Sequence, residues 1–402
     1  MNQQVAVTGL GVMAPHGADP HAMFAALMRG ESAVRPVFPE LAKPAAAATV
    51  AFDESRWFTK LQLAGVDRVS QLAVAAADLA MRDAGAPGDV DRERIGVYAG
   101  CGMGGAAALE AAYRSGGRVP PLTIPAFMPN APAAHVAMRL GAQGPVLTYS
   151  VACASSSVAI AEAAKAVQRG EVDIAIAGGS EALIVPGVVL AWQAMQTLAG
   201  FLPGEAAGAV RPFASDRSGF ALGEGAAFLL LESAERARAR GARSYATLAG
   251  WGNSCDATHL TKPDAQGQAR ALGAALRHAK LQPEEVGYCN AHGTATRIGD
   301  VVEHDALAAV WGAQFDGLRV SSTKALHGHL LGAAGALEAV ITVLALHHGQ
   351  LPPNANCSVV DPACSMNLVL QTGTAAPQLQ AAISNSFAFG GTNSVLLFRR
   401  DC

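Results

Sequence analysis

A cysteine, two histidines and a lysine stand in this sequence in settings that suit covalent chemistry. Cys153 lies in Leu147-Thr-Tyr-Ser-Val-Ala-Cys153-Ala-Ser-Ser-Ser-Val-Ala-Ile160, where a β-prone run over 146–149 gives way to small residues and then to an Ala-rich helical pattern over 154–169. A thiol at such a handover meets free backbone N–H groups and the positive end of the helix dipole, which stabilise a thiolate. The setting predicts a lowered pKa and a nucleophile. The competing reading is a buried small hydrophobe, as free cysteines often are. His292 lies in Asn290-Ala-His292-Gly-Thr294-Ala-Thr296, a histidine beside glycine with hydroxyls two and four residues on. That pattern suits a donor facing a closely approached ligand, and equally a satisfied core histidine. Lys324 and His329 share Ser321-Ser-Thr-Lys324-Ala-Leu-His327-Gly-His329-Leu-Leu-Gly-Ala-Ala-Gly335 at the entrance to a helix, where capping and surface charge are the alternative. No metal centre is predicted. His327 and His329 are too close in sequence to share a helix face as ligands, and no carboxylate joins them.

Each of these stretches follows a predicted strand, as does Asn385-Ser-Phe387-Ala-Phe389-Gly-Gly-Thr-Asn393, and α/β folds place their sites at strand ends. Strands are predicted over 5–10, 95–99, 146–149, 173–177 and 226–231, with helices over 70–84 and 154–169. The Pro- and Ala-rich stretch 36–60 reads as a surface loop, and 120–132 as a proline-studded one. The order then repeats, with strands over 247–252, 286–290, 318–322, 382–385 and 394–398 and helices over 269–280 and from 331. The prediction is an α/β protein of two similar halves with mostly parallel sheets covered by helices. Residues 1–240 carry the cysteine, and 241–402 the histidines and lysine.

With 51% hydrophobic and 15% charged residues among 402, much of the chain must be buried. A net charge of −3 without basic runs leaves no nucleic-acid footprint. Seven cysteines without close-set pairs argue against a disulfide framework or zinc ribbon. The apolar stretch 330–346 carries Glu338 and two glycines and reads as a buried helix, not a membrane span. The N-terminus enters a strand directly, without a basic signal region. A cytoplasmic protein is expected. Gly100 to Gly105 lacks a following phosphate-binding pattern and reads as close packing of backbone.

Taken together, the four motifs resemble those of the condensing enzymes, and more narrowly of the β-ketoacyl-acyl-carrier-protein synthases of the I/II type. Arg211-Pro-Phe-Ala-Ser-Asp-Arg-Ser-Gly-Phe220-Ala-Leu-Gly-Glu224 and Gly178-Gly-Ser-Glu181 strengthen the likeness, which spans the chain. The Cys-His-His set separates it from type III synthases and thiolases. The resemblance implies a thiolase fold, two duplicated α/β halves in a five-layered αβαβα arrangement, acting as a dimer. It implies that Cys153 takes an acyl chain from acyl carrier protein. His292 and His329 then promote decarboxylation of the malonyl thioester, with Lys324 nearby disfavouring their protonation. The N–H groups of Cys153 and Phe389 would form the oxyanion hole, and Phe389 would gate the chain. Thr294 and Thr296 would bind the pantetheine arm, and Met103 and Phe387 would line the substrate path. The expected product is 3-oxoacyl-ACP with CO2. No cofactor is implied beyond the carrier's phosphopantetheine, and the partner subunit is a second copy or a chain-length factor, the non-catalytic subunit that shapes the tunnel.

Four positions depart from the family pattern. Ala388 replaces a glycine in the Phe-Gly-Phe gate, Ala295 a Ser or Gly, and Ala214 an Asp. His327 stands where a smaller residue is usual, and it is expected to face solvent. These changes point to a specialised pathway, such as polyketide or aryl-polyene synthesis, over housekeeping fatty-acid elongation. A Cβ at 388 restricts the backbone and predicts a stiffer gate with narrower acyl choice. Ala388→Gly should therefore broaden the range of acyl-ACPs accepted in a chain-length panel; an unchanged profile contradicts the idea.

Overall fold

Runs such as Ala226-Ala-Phe-Leu-Leu-Leu231 are buried along their whole length, as strands covered on both faces must be. The computed structural model describes residues 3–85 and 90–401. Its main sheet has ten strands: β1 (Val5–Met13), β2 (Ile95–Gly100), β3 (Val146–Tyr149), β4 (Ile174–Glu181), β5 (Gly225–Ser233), β6 (Ala246–Cys255), β7 (Tyr288–Asn290), β8 (Arg319–Ser321), β9 (Ala381–Phe387) and β10 (Thr392–Arg399). The order across the sheet is β3-β2-β4-β5-β1-β6-β10-β9-β7-β8. Counted outward from the β1–β6 seam, both sets of five follow the same order, first, fifth, fourth, second and third. The seam itself is short, joining Val5–Val7 to 246–248.

Both halves hold three parallel strands, followed by two antiparallel ones toward the seam. The expectation of mostly parallel sheets is thus corrected. β5 and β10 follow β4 and β9 as antiparallel neighbours, without a crossover helix between parallel strands. Helix α1 (Arg68–Asp83) covers the first half and α3 (Ala265–Ala279) the second. Between them α2 (Ser155–Gln168) and α4 (Ala334–His348) touch strands of both halves. The layers therefore run α-β-α-β-α. Every residue of α4 from Ala334 to Leu346 is buried, so its apolar length serves the core.

The repeat also survives in residue identity, where the sequence comparison had found only element order. Gly9 and Gly11 on β1 lie so close to α1 that an added Cβ would overlap the carbonyl oxygens of Ala80 and Ala76. Gly250 and Gly252 on β6 stand in the same relation to Ala275 and Ala271 of α3. A Gly-x-Gly strand facing an alanine helix is one solution used twice. Two loop assignments also change. Within 36–60, Arg35–Val37 and Ala45–Ala48 form strands of a small sheet with Leu222–Gly223, and Ala45–Ala48 is fully buried. Four alanines carry no alternating pattern, so only packing against the rest of the fold makes them a strand. Within 120–132, Thr123–Phe127 is a short helix.

Gly11→Ala and Gly252→Ala should each cost about 1–3 kcal/mol by overpacking, read as a lower urea midpoint at unchanged m-value.

Candidate active site

β3 ends at Tyr149, and the chain turns through Ala152 at φ 50° before α2 begins. Left-handed backbone is costly for alanine, and the cost is accepted where it aims a side chain. Ser155 straps this elbow, accepting from Val151 N–H at 2.9 Å and donating to the Ala152 carbonyl at 2.6 Å. Cys153 is thereby held 7% exposed, with the Phe389 N–H directed at its sulfur. His329 Nε2 lies 3.1 Å from Cys153 Sγ. The Leu331 N–H donates to His329 Nδ1 at 3.3 Å, which places the ring proton on Nε2, facing the sulfur. A histidine so arranged offers a proton where a metal ligand would need a lone pair.

His292 follows β7. Its backbone N–H and that of Gly293 donate to the Glu303 carboxylate at 2.8 and 2.7 Å, and Asn385 Nδ2 donates to the same group at 3.0 Å. The His292 and His329 rings sit edge to face, 5.5 Å between centroids. His292 Nδ1 is buried with no hydrogen-bond partner among the described residues. Lys324 lies behind the histidines, fully buried, its Nζ 2.5 Å from Glu338 Oε1 on α4.

Burial governs the titration of this group. It pushes both imidazoles well below the usual histidine range, and the Lys324 charge lowers them further. They are neutral at physiological pH. Burial also raises the Cys153 thiol to about 12; Lys324 opposes that rise and the charges of Glu181 and Glu338 add to it. The expected lowering by the helix start is thus overridden by loss of water, and the resting pair is thiol and neutral imidazole.

A cavity of about 450 Å³ opens onto Cys153, His292 and His329 and is lined by Thr294, Thr296, Phe387 and Phe389. The Thr294 and Thr296 hydroxyls lie 3.1 Å apart. Trp192 stacks on Phe389 and meets Phe220 edge-on, and Phe220 meets His329. Met103 is the exception. It is half-exposed and does not line this cavity, and its N–H donates to the Glu181 carboxylate. Ala388 has ordinary φ; the left-handed residues of its turn are Gly390 and Gly391 (φ 88° and 77°), so the Cβ at 388 narrows the cavity wall without straining the turn.

His327 corrects another expectation. It is buried, with Nδ1 2.7 Å from the Gly328 carbonyl and Nε2 2.9 Å from Thr323 Oγ1. Burial, with help from Lys324, pushes it down to about 3. Ala295 is buried at φ 61°. The carbonyl of Ala214 accepts from Arg217, a buried guanidinium that also binds the carbonyls of Thr296 and Arg297 and the Asp361 carboxylate. Sequence reasoning gave no role to Glu181, Glu303 or Arg217, and noticed Glu338 only as a charge in an apolar run. A lone acid within a buried segment is the signal that was available.

Residues 2–237 match the β-ketoacyl synthase N-terminal domain and residues 245–358 its C-terminal domain. The chain is 40% identical to nodulation protein E of Rhizobium meliloti over 100% of both chains. It is 35% identical to 3-oxoacyl-[acyl-carrier-protein] synthase 2 of Staphylococcus aureus strain N315, with 99% of each covered. Among solved structures, the ishigamide ketosynthase/chain length factor matches at TM-score 0.92 and 32% identity over 100% of both chains. A type II polyketide synthase acyl carrier protein in complex with its ketosynthase matches at TM-score 0.92 and 30% identity, again over 100% of both. The architecture is therefore the thiolase fold of the condensing enzymes. Within that class the chain belongs to the β-ketoacyl synthase family, and it is a ketosynthase, an acyltransferase-type condensing enzyme.

His327 is neutral when folded and takes up a proton near pH 6.5 when unfolded, so it stabilises the fold above that pH and stops doing so below it. The stability of the wild type relative to His327→Gln should fall by about 1.4 kcal/mol per pH unit below about pH 6.5, measured by urea unfolding at pH 7.0 and 5.5.

Proposed function

We propose that Cys153 attacks an acyl thioester on acyl carrier protein and that His292 and His329 drive decarboxylative condensation with malonyl-ACP. The observation that carries this is a pair of dehydrated, neutral imidazoles beside a buried thiol, one with its Nε2 proton facing the sulfur and the other with an unpartnered buried nitrogen. In the first step sulfur bonds to the acyl carbon, the carrier's pantetheine sulfur leaves, and the thiol proton ends on that sulfur. The N–H groups of Phe389 and Cys153 hold the oxyanion. Malonyl-ACP then loses CO2. The two imidazoles donate to the thioester oxygen as enolate charge develops, and neutral donors suit this because no proton need be transferred fully. The enolate carbon attacks the acyl group, Cys153 departs as thiolate and is reprotonated. Lys324 and Glu338 act from behind, the lysine keeping the imidazoles neutral. Residues 1–240 thus load the chain and residues 241–402 generate the nucleophile.

Thr294 and Thr296 suit the pantetheine arm, and Lys262 and Arg297 line the same cavity, a cationic entrance for an acidic carrier. No cofactor beyond the carrier's phosphopantetheine enters these steps. β3 ends the sheet with Val146 and Leu147 exposed, near further exposed apolar residues Ile124, Met128 and Met138. An unpaired apolar edge calls for a partner subunit, a second copy of this chain or a chain-length factor. Met103, outside the single-chain cavity, would meet the acyl path only with that subunit in place. The greater likeness to nodulation protein E than to the synthase 2 relative supports a specialised acyl product. Unpaired cysteines among the described residues fit a cytoplasmic enzyme.

Intact-protein mass spectrometry with an acyl-ACP panel, followed by malonyl-ACP, tests the reading. Loading should appear on the wild type and vanish in Cys153→Ala; a persistent shift elsewhere overturns the nucleophile. His292→Ala should still load but lose condensation by about 100-fold or more, and retained condensation overturns its role. Absence of loading by folded, isolated protein favours the chain-length-factor partnership, and a second subunit should then restore it.

A further inference from the structure

Gly178-Gly-Ser-Glu181 takes no part in the chemistry above, yet β4 ends on a carboxylate with no exposed surface. Glu181 Oε2 accepts from the Gly102 N–H at 2.8 Å and from the Gly332 N–H at 3.0 Å, and Oε1 accepts from the Met103 N–H at 3.3 Å. These donors belong to two segments distant in sequence, the loop after β2 and the turn Leu331–Ala333 that opens α4. The fit is close on both sides, since a Cβ on Gly102 or on Gly332 would crowd Glu181 Oε2.

Each segment leads to a reacting group. Gly332 follows Leu331, held at φ 48°, whose N–H donates to His329 Nδ1. On the other side, the Gly102 carbonyl accepts from Ser150 Oγ at 3.1 Å and the Cys101 N–H donates to the Tyr149 carbonyl at 3.1 Å, so the loop grips the segment that runs into Cys153. One carboxylate thus ties the histidine's turn to the nucleophile's approach. Activation of the nucleophile does not account for its presence, because its charge opposes formation of the Cys153 thiolate. Burial likewise works against its own ionisation.

We propose that Glu181 is the positioning residue of this active site: it bolts the 102–103 loop to the Gly332 turn, sets the Cys153–His329 contact and holds His329 with its proton on Nε2. It touches no reacting atom. The proposal rests on the reading of His329 as a donor in the malonyl step.

Two variants separate the clamp from the charge. Glu181→Gln keeps one oxygen for Gly102 and Gly332, whereas Glu181→Leu keeps the bulk and loses the acceptor. Rates are taken per Cys153 site, titrated by acyl loading in intact-protein mass spectrometry, with acyl- and malonyl-ACP as substrates. Glu181→Leu should lose about 100-fold in condensation kcat with KM for malonyl-ACP unchanged, as a small misplacement of a reacting group does. Glu181→Gln should stay within about fivefold of the wild type, since the neutral amide still meets both N–H groups. A purely structural role would lower the melting temperature and leave the rate per titrated site intact, and that result overturns the proposal. Equal losses in both variants also overturn it, by assigning the effect to charge. Where Glu181→Leu yields no folded protein, Gly332→Ala replaces it, its Cβ forcing the Gly332 turn away from both the Glu181 carboxylate and the Gly102 N–H while keeping the charge; a loss of less than about tenfold refutes the clamp, and a larger one upholds it. Wild-type protein that loads but does not condense would sink the synthase reading, a different failure from unaffected Glu181 variants.

Discussion

Loss of water around Cys153, His292 and His329 is the constraint on which the rest of this structure depends. Dehydration keeps both imidazoles neutral and strengthens every dipole that faces the cavity. It also makes any uncompensated charge expensive, and the chain carries several close to the cavity. Lys324 is matched by Glu338, Glu303 by two backbone N–H groups and Asn385, and Glu181 by three N–H groups. Buried pairs of this kind contribute little net stability, and a hydrophobic replacement is often no worse. Their presence is better explained by placement. Each acid ties a loop bearing a reacting group to another part of the fold.

Duplication explains why the reacting groups converge. The same five-strand order on both sides of the seam brings the starts of α2 and α4 together between the sheets. Cys153 lies just before one helix and His329 just before the other, so residues 176 positions apart meet at 3.1 Å. Both helices are entered through a short turn containing a left-handed, non-glycine residue or following one, Ala152 in the first case and Leu331 in the second. The two halves have diverged in chemistry while keeping the device that aims a side chain at the start of a central helix.

How much of this was legible in the sequence follows from what each signal encodes. Cys153, His292, Lys324 and His329 could be marked as candidates because each follows a predicted strand, but taken singly each also fitted a structural role, and the likeness of the four motifs together to one family decided between the readings. The five repeated strands could be read because apolar periodicity is local. The burial of Ala45–Ala48 could not, because four alanines fit helix, strand or loop alike until Leu222 pairs with Ala47. The raised Cys153 pKa was missed for a related reason. A helix start is visible in sequence, but dehydration by Phe389, Leu331 and the opposite half is a property of the assembled fold. His327 was misjudged on the same ground: its ring partners, the Thr323 hydroxyl and the Gly328 carbonyl, are neighbours in sequence, but its burial is a property of the packed fold.

The segments around this site are strapped in unequal ways. The loops at Cys153, His292 and His329 are each fixed by a buried side chain, whereas the Phe387–Asn393 turn is tied to its neighbour by backbone contacts, Gly390 N–H to the Leu260 carbonyl and Asp256 N–H to that of Gly391. Gly390 is exposed and left-handed, and an added Cβ there would meet nothing. The turn bearing Phe389 has a charge-assisted bond at its base, Asn393 to Asp256. Phe389 itself is held by stacking on Trp192, a contact made by dispersion. Polar strapping around the histidines and aromatic stacking at Phe389 are thus products of the same dry cavity: polar groups there must be tied down, and apolar ones need only pack.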